Sequence, residues 1–262
     1  MIADSLKPFI TTLFSLIKTI TYAQITHYLP LPISTLLFSF NPPSMNSNSA
    51  ASFGYCYERA RSRIAEGATD RADFMSYILK HNDEKGMTKA EIESNSVSLI
   101  IAGSETTATL LSGLTYQLLK NPDKMARLTS LIRTTFASEK DITIVSVTQL
   151  EYFTACLEEA LRMYPPLATS IPRHTLPDGN MICNEFVPGN TTVSVLHYPA
   201  YSSSKNFADP KMFVPERWLK EGKRPERYDG DRRDILRPFS FGPRGCIGRK
   251  WVFFFSLHLG FL

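Results

Sequence analysis

The feature that most restricts the fold of this chain is an uninterrupted helical pattern of about 32 residues. It begins at Thr88-Lys89-Ala90-Glu91, a capping box whose Thr and Glu side chains satisfy free amides of the first turn. It ends at Lys120, ahead of Asn121-Pro122. At the standard rise this length is roughly 48 Å, longer than most globular helices. The middle is apolar nearly all round: Leu99, Ile100, Ile101, Leu110, Leu111 and Leu114. The pattern predicts a helix that passes through a protein interior.

Two more helical patterns follow. Asn121 is predicted to cap the first of them, with Pro122 at its first position. Its apolar stripe consists of Met125, Leu128, Leu131, Ile132 and Phe136. The second runs from about Val147 to Met163 and is stopped by Pro165-Pro166.

The periodicity then changes. Turn signals at Pro177-Asp178-Gly179-Asn180 and Val187-Pro188-Gly189-Asn190 predict short strands between and after them, such as Thr191–Val195. Residues 202–245 are rich in Pro, Arg, Asp and Gly and have little periodicity. A structureless stretch of that length inside a compact domain usually has a functional reason. The predicted fold class is mainly α with minor β.

The N-terminal region has a different character. Residues Phe9–Phe40 are apolar, but Lys18, His27, Pro30 and Pro32 interrupt them, so a clean run of about 18 apolar residues is absent. Two short helices, lying on a membrane surface or packed on a core, fit this stretch. The segment Asn41–Ala51 has the composition of a linker. We therefore divide the chain into an N-terminal segment, 1–51, and a domain, 52–262, in which a charged helical pattern begins at about Phe53.

Charge and cysteine usage exclude several classes of protein. There are 29 Lys and Arg against 25 Asp and Glu, and the net charge of +4 is spread along the chain, which gives no case for nucleic-acid binding. Four widely spaced cysteines form no CxxC pair and are too sparse for a disulfide scaffold: Cys56, Cys156, Cys183 and Cys246. A zinc ribbon and a thioredoxin-type motif are excluded on the same ground.

One of these cysteines lies in an unusual setting. The segment Phe239–Gly248 has the spacing F-x-x-G-x-R-x-C-x-G and precedes an apolar helical run. Backbone amides at a helix N-terminus favour the thiolate at Cys246, which is the form that ligates iron. Glycines at Gly242 and Gly248 allow a flat ligand to approach the backbone, and Arg244 supplies a cation. A buried structural cysteine is the alternative, but this pattern arises by chance on the order of once in 10,000 sequences of this length.

On these residues the segment resembles the cysteine-ligand loop of the cytochrome P-450 superfamily, with strongest similarity to fungal microsomal-type members. The resemblance implies haem b as cofactor, with the Cys246 thiolate as proximal iron ligand. It also assigns cofactor contacts to Phe239, Gly242 and Gly248. In Ile171-Pro172-Arg173-His174, Arg173 would neutralise the haem propionates together with Arg244. By itself, Arg173 equally fits a surface cation after a turn.

A second matching segment is Ala102-Gly103-Ser104-Glu105-Thr106-Thr107, inside the long helix. Glycine at mid-helix costs about 1 kcal/mol relative to Ala, so its presence asks for a reason. Gly103 and Thr106 share one face and leave a dent where a ligand could sit. A close helix–helix crossing would explain the same residues. The resemblance implies that the segment lies over the distal haem face, where Thr106 and Glu105 guide protons to dioxygen and Gly103 makes room for O₂.

Two further segments are in the order that the family requires. Glu159-Ala160-Leu161-Arg162 would by itself be a common solvated pair of small value. Followed by Met163-Tyr164-Pro165-Pro166, it resembles the family's E-x-x-R helix. Phe213–Trp218 resembles the P-E-R-F/W element, in which Arg217 would pair with Glu159 and Arg162. This triad is expected to fix the long aperiodic stretch before the cysteine loop, which is a structural role.

The resemblance implies a haem-dependent monooxygenase that inserts one oxygen atom from O₂ into a small lipophilic compound of secondary metabolism. Electrons would come from an NADPH-cytochrome reductase or another donor, because the chain has no G-x-G-x-x-G site. The implied location is the cytosolic face of the endoplasmic reticulum membrane, with peripheral membrane contact. The chain is also expected to be a fragment, truncated at both ends, that contains the C-terminal helical core of the fold. A non-catalytic fragment with weak or no haem binding is therefore the alternative.

Overall fold

The structure is a computed structural model. It describes residues 18, 22, 29–39, 43–71, 73–83, 86–169 and 171–253. The chain divides into two compact units, Met1–Glu105 and Thr106–Leu262. We describe each unit separately. The division assigned to residue 51 from the sequence remains a prediction.

The first unit is helical. Its helices are α1 (Leu31–Ser39), α2 (Pro43–Ala65), α3 (Phe74–His81) and the first part of α4 (Lys89–Lys120). Asp73 caps α3, because its Oδ1 accepts the Ser76 N–H at 2.7 Å. The small core consists of Cys56, Ala60 and Val97, with Ile100 and Ile101 partly buried against it.

The N-terminal predictions are only partly within reach of the structure. Within the apolar stretch Phe9–Phe40 the structure describes Lys18, Tyr22 and residues 29–39. The rest of that stretch lies outside the described residues. Helix α1 exposes Ile33 and Leu36. The prediction of a linker at Asn41–Ala51 is wrong, since α2 begins inside it at Pro43. Proline is compatible with the first turn of a helix. The helix that contains Phe53 therefore begins ten residues earlier, and its first turns consist of the polar residues that follow Pro43.

Helix α4 confirms the long helical pattern, with 32 residues from Lys89 to Lys120. The capping box is present: Glu91 Oε2 accepts the Thr88 N–H at 2.7 Å, and Thr88 Oγ1 accepts the Glu91 N–H at 3.3 Å. Leu110 and Leu114 are buried, but Leu99 is exposed. The cluster around Cys56 covers only one side of this part of the helix. By length and composition alone, α4 is long and apolar enough to cross a membrane. Core helices of soluble proteins can meet the same two criteria.

The second unit contains the main core. Helix α5 (Pro122–Thr135) buries Leu128 and Ile132, as its predicted stripe requires. Asn121 occupies its N-cap position without a side-chain cap, because its Nδ2 donates backward to the Gln117 carbonyl. The predicted third helix is divided into α6 (Ile144–Thr148) and α7 (Glu151–Met163), since Gln149 and Leu150 leave the helical hydrogen-bond pattern.

Four short strands follow α7. β1 (Arg173–His174) pairs antiparallel with β4 (Thr192–Val193), with Arg173 opposite Val193. β2 (Asn180–Ile182) pairs with β3 (Glu185–Val187). The two residues between β2 and β3, Cys183 and Asn184, have φ of 53° and 66°, which matches the twist of a tight two-residue hairpin.

The stretch 202–245 has little regular structure, as predicted. After the short helix α8 (His197–Tyr201) it contains isolated 3-10 turns. These turns are Pro215–Trp218, Glu226–Tyr228, Arg233–Ile235 and Gly242–Arg244. Helical hydrogen bonding resumes at 249–253.

The two glycines of α4 offer a test of this packing. A Cβ at Gly113 would lie 2.7 Å from Cδ1 and 2.9 Å from Cβ of Tyr164, whereas a Cβ at Gly103 meets no heavy atom within 4 Å. We expect Gly103→Ala to stabilise the helix by up to about 1 kcal/mol. Gly113→Ala should destabilise the protein by about 1–2 kcal/mol because the overpacking exceeds that gain. Thermal unfolding followed by circular dichroism measures both, and shifts of the same sign would contradict the packing described.

Candidate functional site

Two charged side chains of α7 and one that is more than fifty residues away in the sequence meet in the interior of the second unit. Glu159, on α7, accepts two hydrogen bonds from Arg162, at 2.9 Å from Nε to Oε2 and 2.8 Å from Nη2 to Oε1. Arg217 donates from Nε to the same Oε1 at 3.1 Å. All three side chains are 0% exposed. The carboxylate of Glu159 is thus a shared acceptor for two buried guanidinium groups. A solvated Glu–Arg pair on a helix surface has neither this burial nor a second guanidinium partner.

The outer face of the Arg162 guanidinium holds the aperiodic stretch. Its Nη1 donates to the carbonyls of Tyr201 at 2.9 Å and Pro210 at 2.8 Å, and its Nη2 donates to the carbonyl of Met212 at 3.2 Å. Buried carbonyls outside helices and sheets need donors of this kind. Arg162 therefore supplies the hydrogen bonds that regular secondary structure would otherwise provide.

The other donors to Glu159 come from the turn that follows. The Val214 N–H donates to Oε1 at 2.9 Å, and the Trp218 indole N–H donates to Oε2 at 2.9 Å. The ring of Phe207 lies below both guanidinium groups, 5.3 Å from Arg162 and 5.9 Å from Arg217. Every oxygen of the carboxylate is thus hydrogen-bonded, which is the condition for burying a charge without a large penalty.

A fourth charged residue, Asp231, completes the cluster. Its Oδ2 accepts a short hydrogen bond from Arg217 Nη1, its Oδ1 accepts the Ala208 N–H at 2.7 Å, and its side chain is 2% exposed. Glu159, Arg162 and Arg217 alone would leave one buried positive charge, which Asp231 neutralises. The sequence analysis missed this residue, because Asp231 stands among exposed charges in Asp229–Asp234 and no local spacing distinguishes it.

A second ionic anchor also escaped the sequence analysis. Glu216, in the same 3-10 turn as Arg217, accepts hydrogen bonds from Lys124 Nζ at 3.0 Å, Arg127 Nη1 at 3.0 Å and Tyr152 Oη at 3.2 Å. The Arg127 guanidinium lies 3.8 Å from the Tyr152 ring centroid. Burial raises the pKa of Tyr152 above its usual range. This anchor joins α5 and α7 to the turn.

The stretch fixed in this way leads to the cysteine loop. The Cys246 N–H donates to the Phe239 carbonyl at 2.8 Å, which closes the loop, and the Gly245 N–H donates to the Gly242 carbonyl at 2.9 Å. Gly242 has φ of +70°, a conformation that favours glycine. The Val252 N–H donates to the Gly248 carbonyl at 3.0 Å, so helical bonding starts two residues beyond the cysteine. Phe239 packs on the core against Phe253, with ring centroids 6.1 Å apart.

The four cysteines are free and differ in accessibility. Cys56 and Cys156 are buried, and burial raises the pKa of both thiols. Cys183 and Cys246 are exposed. Exposed apolar side chains lie close in sequence to both: Met181 and Phe186 to Cys183, and Phe241 and Ile247 to Cys246. Cys246 differs from Cys183 in its glycine-containing loop, which leads into a helical segment, whereas Cys183 stands at a hairpin turn.

These surroundings fit a thiolate-ligated haem. Among the described residues no group of three or more His, Cys, Asp or Glu could hold a metal ion, so an iron at Cys246 must bring most of its own ligands, as a porphyrin does. A Cβ built on Gly248 would lie 3.7 Å from Cys246 Sγ, so the glycine leaves that side of the sulfur open. Exposed apolar rings at the loop offer the contact that a flat macrocycle requires.

The two arginines predicted to bind the haem propionates, Arg173 and Arg244, lie in different surroundings. Arg173 lines a cavity of about 350 Å³ together with Arg237, Ser240 and Phe241 of the cysteine loop. Arg244 is exposed and is not among the residues that line this cavity. The structure thus brings Arg173 together with Arg237, a residue that the sequence analysis did not single out.

The predicted distal residues lie along α4. Gly103 is exposed, while Glu105 and Thr106 are half-buried. Ser104 Oγ donates to the Ile100 carbonyl at 2.7 Å, a back-bond common for hydroxyls inside helices. Within the described part of the chain no heavy atom lies within 4 Å of a Cβ at Gly103, so no close helix crossing meets this glycine there. Gly103 and Glu105 belong to the first unit and Thr106 to the second.

The exposed loop cysteine and the buried E-x-x-R cluster occur together, as the resemblance to haem-thiolate proteins predicts. The sequence model of the family described as Cytochrome P450 matches residues 12–251. The chain belongs to the cytochrome P-450 family.

Similar curated proteins are fungal. The chain is 42% identical over 248 residues to "Cytochrome P450 monooxygenase aclL" of Aspergillus oryzae, which covers 95% of this chain and 49% of that protein. It is 47% identical over 220 residues to "Cytochrome P450 monooxygenase astA" of Talaromyces wortmannii, which covers 84% and 44%. The chain therefore spans about half the length of these relatives.

A solved structure shows the same fold. It is described as "Crystal structure of cytochrome P450DA heme domain", and it matches with a TM-score of 0.69 at 20% identity over 99% of this chain and 54% of that one. The expected fold class, mainly α with minor β, is confirmed.

The neutralising role of Asp231 yields a prediction. Asp231→Asn leaves one uncompensated positive charge in the interior and should lower the free energy of unfolding by about 3 kcal/mol. Asp234→Asn, three residues later, alters an exposed pair at 3.4 Å from Arg232 and should change it by less than about 0.5 kcal/mol. Urea unfolding of both variants measures the difference. Equal effects would mean that Asp231 is not needed to balance the cluster.

Proposed function

We propose that this chain supplies the haem-binding part of a monooxygenase that inserts one oxygen atom from O₂ into a small lipophilic organic substrate. The observation that supports it is the exposed Cys246 thiol, held in a glycine-containing loop that follows a buried charge cluster. Haem b, when bound, supplies the redox chemistry that activates dioxygen and oxidises the substrate.

The residues of the loop and of β1 bind this group. Cys246 Sγ would ligate the iron as thiolate, and Gly242 and Gly248 would let the macrocycle approach the backbone. Phe239 fixes the loop to the core. Arg173 and Arg244 each present a guanidinium fork to a propionate carboxylate.

The residues of α4 handle protons and space. Thr106 Oγ1 holds and passes a proton, the Glu105 carboxylate exchanges protons with it, and Gly103 keeps room for O₂. A hydroxyl next to a carboxylate on one helical turn suits a short proton relay. These roles come from the family, and the half-buried positions of Glu105 and Thr106 are compatible with them.

Electrons must come from outside the chain, and we infer an NADPH-cytochrome reductase or another donor as the partner. The names of the fungal relatives, all monooxygenases, support the reaction class. A role in secondary metabolism, and a place on the cytosolic face of the endoplasmic reticulum with peripheral membrane contact, follow from the family resemblance.

A second candidate function rests on a different observation. Because the chain spans about half of its relatives, it can represent a non-catalytic fragment that binds haem weakly or not at all. The two candidates differ in whether the chain, by itself, forms a thiolate-ligated haem.

One spectrum separates them. We expect the reduced, CO-bound protein to show the red-shifted Soret band of thiolate ligation, and Cys246→Ala to abolish it because the ligand is removed. Cys183→Ala, which alters the other exposed free cysteine, is the matched control and should leave the band unchanged. A wild-type chain without the red-shifted band supports the non-catalytic fragment. A band that persists in Cys246→Ala would refute Cys246 as the ligand.

A further inference from the structure

Arg237 stands at the start of the cysteine loop with its backbone fixed on both sides. Its N–H donates to the hydroxyl of the buried Tyr201 at 3.1 Å, and its carbonyl accepts the Ser240 N–H at 3.0 Å. Because these two hydrogen bonds hold the backbone of Arg237, its side chain can sample only the space around one fixed Cα position. Its guanidinium lies 5.9 Å from the centroid of the Phe241 ring.

The cavity that this side chain lines is positively charged. Its lining includes Arg173 and Arg237, together with Val193, His197, Ser240 and Phe241. Two of the lining residues are arginines and none is acidic, while most of the others are apolar or carry a hydroxyl. At about 350 Å³ the cavity lies at the small end of ligand sites. It suits the carboxylate arms of a ligand whose body is apolar.

Neither arginine is neutralised within the described part of the chain. Arg173 Nη1 donates to the neighbouring Pro172 carbonyl at 2.9 Å, and no ion pair within 4 Å is found there for Arg173 or Arg237. The carboxyl group of Glu158 lies at a different cavity. Together with Arg237 it lines a second, polar cavity of about 630 Å³. Among the described residues Arg173 and Arg237 thus have no ionic partner, and the cavity that both line can receive an external anion.

We propose that Arg237 binds a haem propionate together with Arg173, as a carboxylate contact additional to Arg244. Two guanidinium forks that line one cavity can hold one carboxylate from two sides. Arg244, which is exposed outside this cavity, then remains for the other propionate. This inference rests on the proposed function, since it needs haem to bind at the loop.

The test compares haem with its dimethyl ester, in which both propionates are esterified. Absorbance titration of the whole apoprotein measures the affinity for each compound. Charge-assisted hydrogen bonds of this kind contribute enough that Arg237→Gln should weaken haem binding by roughly ten- to a hundredfold. The affinity for the dimethyl ester, which has no carboxylate, should change less than about threefold. Arg237→Lys keeps the charge without the fork and should fall between.

Arg232→Gln is the matched control, because Arg232 lies five residues earlier, is exposed and pairs with Asp234 outside the cavity. It should leave both affinities unchanged. If Arg237→Gln weakens haem and dimethyl ester equally, Arg237 acts only by shaping the loop, and an unchanged haem affinity equally overturns the proposal. If the wild-type chain binds neither compound, the proposed function itself fails.

Discussion

Burying a carboxylate and two guanidinium groups in one place is expensive unless every charge finds a partner. Here Glu159 is shared by Arg162 and Arg217, and Asp231 brings the buried charge to zero. The cluster spans the E-x-x-R helix and a stretch that has only isolated 3-10 turns. Because the guanidinium groups also bind main-chain carbonyls, the cluster determines the path of a chain that no sheet or helix defines.

The position of the cysteine loop follows from this path. Arg162 Nη1 binds the Tyr201 carbonyl, and the Tyr201 hydroxyl accepts the N–H of Arg237, where the loop starts. Phe239 then packs on the core, and its carbonyl accepts the Cys246 N–H. A continuous set of hydrogen bonds thus connects the buried charges with the exposed thiol. The Cys246 thiol can remain accessible because the hydrogen bonds that close its loop join main-chain groups.

Local rules predict the helices well but not this cluster. Capping, proline and apolar spacing define α4 and α5 nearly to the residue. The helical start at Pro43 has no such signal, because the polar composition of the first turns resembles that of a linker. Glu159 and Arg162 stand three apart, as countless solvated pairs do, so only the family resemblance indicated that they pair with Arg217. Asp231 had no signal, since its partner Arg217 lies 14 residues away. Arg237 had none either, since Arg173, with which it lines one cavity, stands far earlier in the chain. Such separations leave no periodic trace.

The division of the chain has a consequence for how its parts depend on one another. Glu159, Arg162, Arg217, Asp231 and Cys246 all belong to the unit Thr106–Leu262, and so do the cavity arginines. Gly103 and Glu105 belong to the other unit. The buried charges find their partners inside the unit Thr106–Leu262, and the hydrogen bonds that lead from them to the cysteine loop join residues of the same unit. This support of the cysteine loop therefore does not involve Gly103 or Glu105.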